Sequence, residues 1–203
     1  MVFQLDRQLN KLSKKKDIID RYNSTANFYD ERYKEIQEEK YKLVLHNYTL
    51  KEKTILDCGC GTGLLGEYVL NSKNEEEIFN INFVAVDLSL NMLLKFKQKL
   101  LKLKNKERVS LILADIENLP FRDKKFNFIF SFTSFQNLPQ YFKGVLEVLR
   151  VCSVVGDLIL TILRKKLDLD NLVDFIKPLV RNLKVIDQKF VEDVIILCKN
   201  SQE

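Results

Sequence analysis

The chain has 203 residues, 46% of them hydrophobic, with 33 Lys and Arg against 28 Asp and Glu and a formal net charge of +5. This length accommodates one α/β domain and is short for two ordinary ones. The basic excess is smaller than that of strong nucleic-acid binders, and one histidine with four cysteines and no C-x-x-C pair argues against a zinc site built from this chain alone.

The first part of the chain is polar and rich in Lys and Glu, with apolar residues at helical spacing. This pattern predicts two surface helices, 1–20 and 30–47, joined by the segment 22–30, which contains helix-starting Ser, Thr and Asn. We interpret residues 1–50 as a helical extension or cap that belongs to the same domain as residues 51–203.

From residue 54 onward, short apolar runs alternate with helical patterns. The predicted strands are 54–58, 81–87, 109–115, 126–132 and 156–165, and the predicted helices are 64–72, 88–104, 139–150 and 169–180. Two final runs, 183–190 and 191–199, leave no room for a helix between them and therefore predict an antiparallel hairpin at the sheet edge. The alternation predicts an α/β fold with a mostly parallel sheet and helices on both faces.

The segment 55–63, ILDCGCGTG, places three glycines on alternate positions between the first strand and its helix. Glycines there permit positive φ angles and a close approach of the backbone to a ligand. In the dinucleotide-binding fold the spacing is G-x-G-x-x-G, which rests a pyrophosphate on the helix N-terminus. Here Asp57 precedes the loop, would repel a pyrophosphate and suits a ligand with a cationic end. The loop therefore predicts a site for a nucleoside-like ligand that carries no phosphate.

Two further acids end the second and third strands. Asp87 lies at the spacing where an acid accepts hydrogen bonds from ribose hydroxyls, and Ser89 is a good helix cap that leaves Asp87 free for a ligand. Asp115 could accept a hydrogen bond from an adenine amino group, or it could simply end its strand. Three acids at three consecutive strand ends predict one shared crevice, because ligands of open α/β sheets bind beyond the carboxyl ends of the strands.

Four segments together resemble a known family: ILDCGCGTG (55–63), VAVDLSLNML (84–93), ADIENLPF (114–121) and FNFIFSFTSFQNLP (126–139). They are similar to class I S-adenosylmethionine (SAM)-dependent methyltransferases, of the small kind related to ubiquinone/menaquinone-type methyltransferases. The resemblance covers the chain from about Tyr22 to Cys198. It implies SAM as the cofactor and a Rossmann-like seven-stranded sheet of order 3-2-1-4-5-7-6, with a C-terminal antiparallel hairpin and N-terminal cap helices.

The resemblance also implies a set of cofactor-binding residues. They are Tyr22, Tyr29, Asp57, Gly59, Cys60, Gly61, Gly63, Asp87, Leu88, Met92, Asp115, Ile116 and Ser131. In that assignment Asp57 lies at the methionine end of SAM, as do two of the glycines and the serine. Asp87 holds the ribose hydroxyls, Leu88 and Met92 pack around the adenine, and Asp115 reads the adenine edge. The two tyrosines close over the cofactor from the N-terminal helices.

The sequence shows no obvious general base. Gln136 and Asn137 follow the fourth strand, where they could orient a methyl acceptor or only end the strand. His46 could be a base or a helix cap. The segment SFTS (131–134) stands where some relatives have an Asn/Asp-Pro-Pro-Tyr signature, which argues against amino methylation of nucleic-acid bases or of glutamine amides by that route.

The acceptor stays open among three hypotheses. The first is a small molecule. The second is tRNA or a protein, with a small zinc-ribbon activator subunit as a partner, suggested by short connections that leave no lid besides the N-terminal helices. The third is a non-catalytic scaffold subunit. The basic cluster in 95–108 could contact RNA, but a solvated lysine-rich helix face is the commoner explanation.

The chain carries no signal of membrane or secretory targeting. Its charged first sixteen residues lack the apolar core of a signal peptide. The longest apolar stretch, 151–163, is broken by Asp157 and is too short to span a bilayer. We therefore expect a cytoplasmic protein with reduced cysteines.

Overall fold

The computed structural model describes residues 2–71, 76 and 79–201, with side chains described from residue 9 onward within these ranges. The helices are α1 (Val2–Thr25), α2 (Tyr29–Leu45), α3 (Leu64–Leu70), α4 (Leu90–Leu100), α5 (Tyr141–Val151) and α6 (Leu169–Ile176). The strands are β1 (Thr54–Cys58), β2 (Asn82–Asp87), β3 (Val109–Leu113), β4 (Phe126–Phe132), β5 (Cys152–Leu163), β6 (Val180–Ile186) and β7 (Asp193–Asn200).

The seven described strands form one sheet of order β3-β2-β1-β4-β5-β7-β6. The neighbours from β3 to β5 pair in parallel, whereas β7 pairs antiparallel with both β5 and β6. This confirms the predicted Rossmann-like architecture with its closing hairpin. The chain order reverses between β1 and β4, so a crevice opens beyond their carboxyl ends.

The core lies on both faces of the sheet, because β4 alternates its side chains between two layers. Phe128, Phe130 and Phe132 stack along one face at centroid distances of 5.9 and 6.2 Å. Tyr41 of α2 meets Phe132 edge-on at 4.8 Å, which ties the second N-terminal helix into this core layer. Ile129 points to the opposite layer, under α5 and α6.

The N-terminal helices differ from the prediction at their junction. Helix α1 runs to Thr25, so the predicted linker 22–30 shrinks to residues 26–28. Ser and Thr at the end of α1 donate their hydroxyls to the Arg21 carbonyl one turn back, which lets these cap-forming residues stay helical. Of the predicted helix 64–72, Ser72 lies outside the described residues.

The element boundaries in the last part of the chain also differ from the prediction. The predicted helix 169–180 ends at Ile176, because Pro178 cannot donate within a helix and lies in a short 3₁₀ turn instead. β6 therefore starts at Val180 rather than at residue 183. Its pairing with β7 slips at Asn182, whose φ of 54° marks a local bulge. None of the described helices is long and apolar enough to cross a membrane.

Candidate functional site

The carboxyl ends of β1, β2 and β4 and the segment after β3 border three adjoining cavities. The main cleft encloses about 660 Å³ including its open side, the inner pocket about 300 Å³, and the side cleft about 1790 Å³. Tyr29, Gly59 and Gly61 border both the main cleft and the inner pocket. Tyr29 also borders the side cleft, so the three cavities adjoin one another at the edge where the strand order reverses.

The glycine loop shapes the boundary between the main cleft and the inner pocket. Gly59 has a φ of 77°, and a Cβ there would come within 2.2 Å of the Ser134 hydroxyl. At Gly61, with a φ of 54°, a Cβ would instead face open space, with its nearest neighbour a Tyr29 ring atom at 3.9 Å. Gly59 is thus required for packing, whereas the bare backbone of Gly61 keeps the passage between the cavities open.

Asp87 fastens this loop to the end of β2. Its Oδ2 accepts a hydrogen bond from the Gly61 amide at 2.8 Å, and its Oδ1 accepts one from the Ser89 amide at 2.8 Å. The Ser89 hydroxyl in turn accepts from the Met92 amide at 3.2 Å, which confirms Ser89 as the cap of α4. Burial raises the Asp87 pKa, and its carboxylate borders the main cleft.

Asp57 lies in the inner pocket and is only 2% exposed. Its Oδ2 has no hydrogen-bond partner among the described residues. Burial, together with the negative charge of nearby Asp87, raises the Asp57 pKa to about 8. A buried carboxylate with an unpartnered oxygen is costly unless a cationic hydrogen-bond donor meets it, so this end of the site suits an ammonium group.

Asp115 closes the other end of the main cleft against α1. Lys15 of α1 contacts the Asp115 carboxylate, and its Nζ lies 2.6 Å from Oε2 of Glu117. Glu117 is fully buried and also accepts from the Gln140 amide at 2.6 Å. Neither Lys15 nor Glu117 is predicted from the sequence, because a lysine on a polar helix and an acid in a turn carry no local signal of contact.

Thr133 occupies the junction between the main and side clefts with a φ of 56°, a left-handed conformation that is strained for a β-branched residue. Its amide donates to the Thr161 carbonyl at 2.9 Å. Its hydroxyl donates to Asp193 at 2.6 Å and accepts from Lys40 at 2.8 Å and Gln37 at 3.2 Å. These contacts hold the strained residue in place.

Lys40 and Asp193 form the buried ion pair behind this junction. Their side chains are 2% and 0% exposed, and Nζ lies 2.9 Å from Oδ1. The Thr161 hydroxyl adds a further hydrogen bond to Asp193 at 2.7 Å. The pair therefore joins α2 directly to the first residue of β7.

Gln136 and Asn137 lie on the 3₁₀ turn that follows β4; Asn137 borders both the main and side clefts, and Gln136 borders the side cleft. The Asn137 side chain donates to the Tyr22 hydroxyl at 3.0 Å and accepts from the Arg21 guanidinium at 2.8 Å. Gln136 donates to the Thr133 carbonyl at 2.6 Å, and its own Oε1 has no partner within the described part of the chain. Both amides are therefore oriented by the N-terminal helix or the strained turn.

The residues anticipated from the sequence divide into three groups. The main cleft is bordered by Tyr22, Tyr29, Gly59, Gly61, Asp87, Leu88, Asp115 and Ile116, and the inner pocket adds Asp57 and Cys60. Gly63, Met92 and Ser131 border neither cavity. Met92 and Ser131 are fully buried, and the Ser131 hydroxyl donates to the Cys58 carbonyl at 2.8 Å.

Cys60 and His46 are unsuited to acid–base or nucleophilic chemistry in this site near neutral pH. Burial raises the pKa of the Cys60 thiol well above its ordinary value. His46 is the C-terminal cap residue of α2, and its Nδ1 lies 3.2 Å from the Lys42 carbonyl oxygen. It borders none of the three cavities.

Comparison with known proteins relates half of the chain to one family. Residues 55–156 match the model of a methyltransferase domain. Over 110 residues the chain is 29% identical to the malonyl-[acyl-carrier protein] O-methyltransferase of Hamiltonella defensa, covering 54% of this chain and 38% of that protein. Over 102 residues it is 29% identical to the ubiquinone/menaquinone biosynthesis C-methyltransferase UbiE of Rickettsia prowazekii, covering 50% of this chain and 41% of that protein. The chain thus spans about two fifths of these relatives.

Solved structures share the fold over nearly the whole chain. Magnesium protoporphyrin IX methyltransferase from Synechocystis, solved with bound SAM, gives a TM-score of 0.71 at 15% identity and covers 93% of this chain and 97% of that one. A complex between the Haloferax volcanii Trm112 methyltransferase activator and a methyltransferase gives a TM-score of 0.67 at 13% identity. The match covers 89% of this chain and 98% of that one.

Replacing Asp57 by asparagine tests the unpartnered carboxyl. Between pH values of about 4 and 8 the folded chain keeps a proton on Asp57 that the unfolded chain releases, so wild-type stability falls as pH rises across that window. The asparagine side chain does not titrate. We therefore expect Asp57→Asn to gain stability over the wild type progressively up to a pH of about 8 and then to hold a constant advantage.

The measurement is urea unfolding of the ligand-free protein at several pH values. Asp20→Asn on the exposed surface of α1 is the control, and its difference from the wild type in free energy of unfolding should not change with pH. Parallel pH profiles for Asp57→Asn and wild type would contradict the raised pKa.

Replacing Lys40 by methionine tests the buried pair. The change leaves the Asp193 carboxylate buried without its cation, and we expect the free energy of unfolding to fall by about 3–5 kcal/mol. Lys42→Met removes the same charge from the same helix, where the partner Glu39 is exposed, and should have a much smaller effect. Adding Asp193→Leu to Lys40→Met should recover part of the loss in denaturant unfolding, whereas a loss equal to that of Lys42→Met would overturn the role given to the pair.

Proposed function

The chain belongs to the class I SAM-dependent methyltransferase family, and we propose that it transfers the methyl group of SAM to a small-molecule acceptor. The observation that carries this proposal is the Asp57 carboxyl group, which is buried beside the glycine loop with an unpartnered Oδ2 atom, in a pocket that adjoins the main cleft. SAM is the cofactor of this family, and its cationic amino-acid end is the partner that such a carboxylate requires.

The remaining residues fit the rest of the cofactor. Asp87, half-buried and oriented by two backbone amides, would hold the ribose hydroxyls. Leu88 and the Ile116 backbone border the same cleft and would enclose the adenine. Tyr22 and Tyr29 cover the cleft from the two N-terminal helices, with ring centroids 6.4 Å apart.

Asp115 would read the adenine amino group, but its Oδ2 now contacts Lys15 and accepts from Asn118 at 3.3 Å. An adenine amino group would therefore compete with Lys15 for the same carboxylate. Because Asn23 of α1 also accepts a hydrogen bond from Ser89 at 2.6 Å, α1 covers this end of the cleft. We propose that α1 separates from Asp115 to admit the cofactor.

When bound, SAM supplies a methyl group already activated on a sulfonium sulfur. The chain then has to align the acceptor with it, and such positioning lowers barriers by about 7–11 kcal/mol in well-oriented reactions. Thr133 and Asn137 lie where the main and side clefts meet, and Gln136 borders the side cleft; all three would orient the acceptor. Both tyrosines at this junction have pKa values raised by burial, so they stay protonated near neutral pH and do not act as general bases.

A second candidate function is methylation of tRNA or a protein together with a small activator subunit. Its support is the fold shared with the Haloferax methyltransferase that was solved with Trm112, and the exposed sheet edge at β3. Leu113 of this edge strand is 55% exposed, an uncovered apolar position on an unpaired edge.

Affinity purification from native cells tests this second candidate. We expect a small zinc-binding protein to co-elute with the wild type and to be lost from Leu113→Asp. Leu101→Asp, an equally exposed apolar position after α4, is the matched control. Recovery of the chain without such a protein would remove the support for an activator.

Titration of SAM into the purified protein tests the main proposal. We expect binding that Asp87→Ala weakens at least tenfold, or about 1.4 kcal/mol, because both the ribose contacts and the loop anchor are removed. Asp123→Ala, whose carboxylate is largely exposed and outside the cavities, is the control and should bind as the wild type does.

Thermal unfolding with and without SAM gives a second readout, because a ligand that binds only the folded chain raises its Tm. Absence of both binding and stabilisation in the wild type would contradict the methyltransferase proposal and favour a non-catalytic scaffold.

A further inference from the structure

Resting on the proposed function, we infer that the side cleft is the acceptor site and that it binds an anionic acceptor, a carboxylate on an apolar or aromatic body. The side cleft meets the main cleft at four shared residues, Tyr22, Tyr29, Thr133 and Asn137. A molecule in the side cleft would therefore meet the cofactor cleft at this junction.

Charge is distributed unevenly around the side cleft. Its lining contains four cations and a single acid, namely Arg21, Arg32, Lys40, Lys166 and Glu192. Lys40 is matched by Asp193 behind the wall, so it contributes little free charge. The three remaining cations still outnumber the acid, and a cleft lined by one sign of charge concentrates ligands of the opposite sign.

Arg21 lies at the junction itself. Its guanidinium donates to the Asn137 side chain at 2.8 Å and stacks 4.8 Å from the centroid of the Tyr22 ring. These two contacts orient the planar guanidinium while leaving it without a carboxylate among the described residues. A fixed guanidinium fork matches a carboxylate in a two-point hydrogen-bonded pair.

Arg32 and Lys166 extend the positive surface to the mouth of the cleft. Both are exposed, and neither has a carboxylate within ion-pair distance in the described ranges. Arg32 lies 5.3 Å from the centroid of the Tyr33 ring, a contact that leaves its outer nitrogens accessible. They would attract the anion and hold any further charge on the acceptor.

The wall between these cations is apolar and aromatic. Phe28, Tyr33, Ile36 and Leu163 line it, and Phe28 is 66% exposed even though it lies between two helices. Gln37, 4% exposed at the back of the cleft, has an Oε1 atom with no partner within the described chain. A buried unpartnered acceptor beside apolar walls is a feature of ligand sites, which combine an apolar lining with a few placed polar groups.

The chemistry of the junction agrees with an ionised acceptor. Among the described residues that line the side cleft, Glu192 is the only carboxylate and there is no imidazole; Glu192 also borders a separate outer cavity beside α2. The Asp193 carboxylate behind Thr133 is already engaged by Lys40 and by two threonine hydroxyls. A carboxylate oxygen already carries its lone pair. It forms the new O–C bond as the S–C bond breaks, yielding a methyl ester and S-adenosylhomocysteine with no proton to remove.

The test is ligand-observed NMR titration of the full chain with four probes of similar body: benzoate, phenyl phosphate, benzamide and benzylamine. We expect benzoate to bind at least tenfold more tightly than benzamide, and benzylamine not to bind. Binding of benzoate should weaken as salt rises, because exposed charges are screened. Arg21→Gln should weaken it several-fold, and so should Lys166→Gln, which disturbs no side-chain contact of the described structure.

Lys16→Gln is the matched control, since it removes one exposed charge from the same helix as Arg21 but outside the cleft. Equal binding of benzoate and benzamide, no binding of benzoate at millimolar concentration, or equal weakening by Lys16→Gln would overturn the inference. Preference for phenyl phosphate over benzoate would overturn the assignment to a carboxylate.

The titrations are carried out both without cofactor and with S-adenosylhomocysteine. Benzoate binding is measured directly and does not depend on SAM binding. If the wild-type chain binds benzoate but not SAM, the proposed function is refuted and the anion site is retained. If the wild type binds SAM but shows no preference for benzoate over benzamide, the anion site is refuted and the proposed function is retained.

Discussion

The site depends on one buried contact, the ion pair between Lys40 and Asp193. Two charges removed from water are stable only when their geometry is good and further hydrogen bonds satisfy them; here the Thr133 and Thr161 hydroxyls both donate to Oδ2 of Asp193, and Lys40 Nζ faces Oδ1. Lys40 comes from a helix near the start of the chain and Asp193 from the last strand, so the pair clamps both ends of the chain against the carboxyl edge of β4. The strained backbone of Thr133 persists because this clamp overdetermines it.

Hydrophobic periodicity was sufficient to anticipate the seven described strands, because buried parallel strands form continuous apolar runs that end where the sheet ends. The three acids Asp57, Asp87 and Asp115 could be anticipated for the same reason: each follows or ends a strand, and strand ends converge. The strand order came from the resemblance to a family, since apolar runs alone do not say which strands are neighbours. The glycine loop stood out because its spacing is rare outside ligand-binding turns.

The rest of the site could not be predicted from local patterns. Lys15 meets Asp115 from 100 residues away, and Gln37 meets Thr133 from 96 residues away. A positive φ at a threonine has no sequence signal, because β-branched residues disfavour that conformation and only tertiary contacts impose it. Met92 and Ser131 are the opposite case: both fit a family position, yet both are fully buried and border none of the three cavities.

The three strand-end acids differ in their hydrogen-bond and ion-pair partners, and this difference makes the two ends of the site unlike for a ligand. Asp57 lacks a partner for Oδ2, Asp87 is held by backbone amides, and Asp115 is held by a lysine of the covering helix. A ligand with a cation at one end gains most at Asp57, where burial has left a carboxylate uncompensated, and must displace an existing cation at Asp115. Binding energy gained in the inner pocket can thus offset the loss of the Lys15 contact at the far end.

Because α1 carries both Lys15 and Arg21, a movement of this helix at the cofactor cleft would also move a cation that borders the side cleft. Under the proposed separation of α1 from Asp115, occupancy of the cofactor cleft would therefore change the electrostatics of the side cleft.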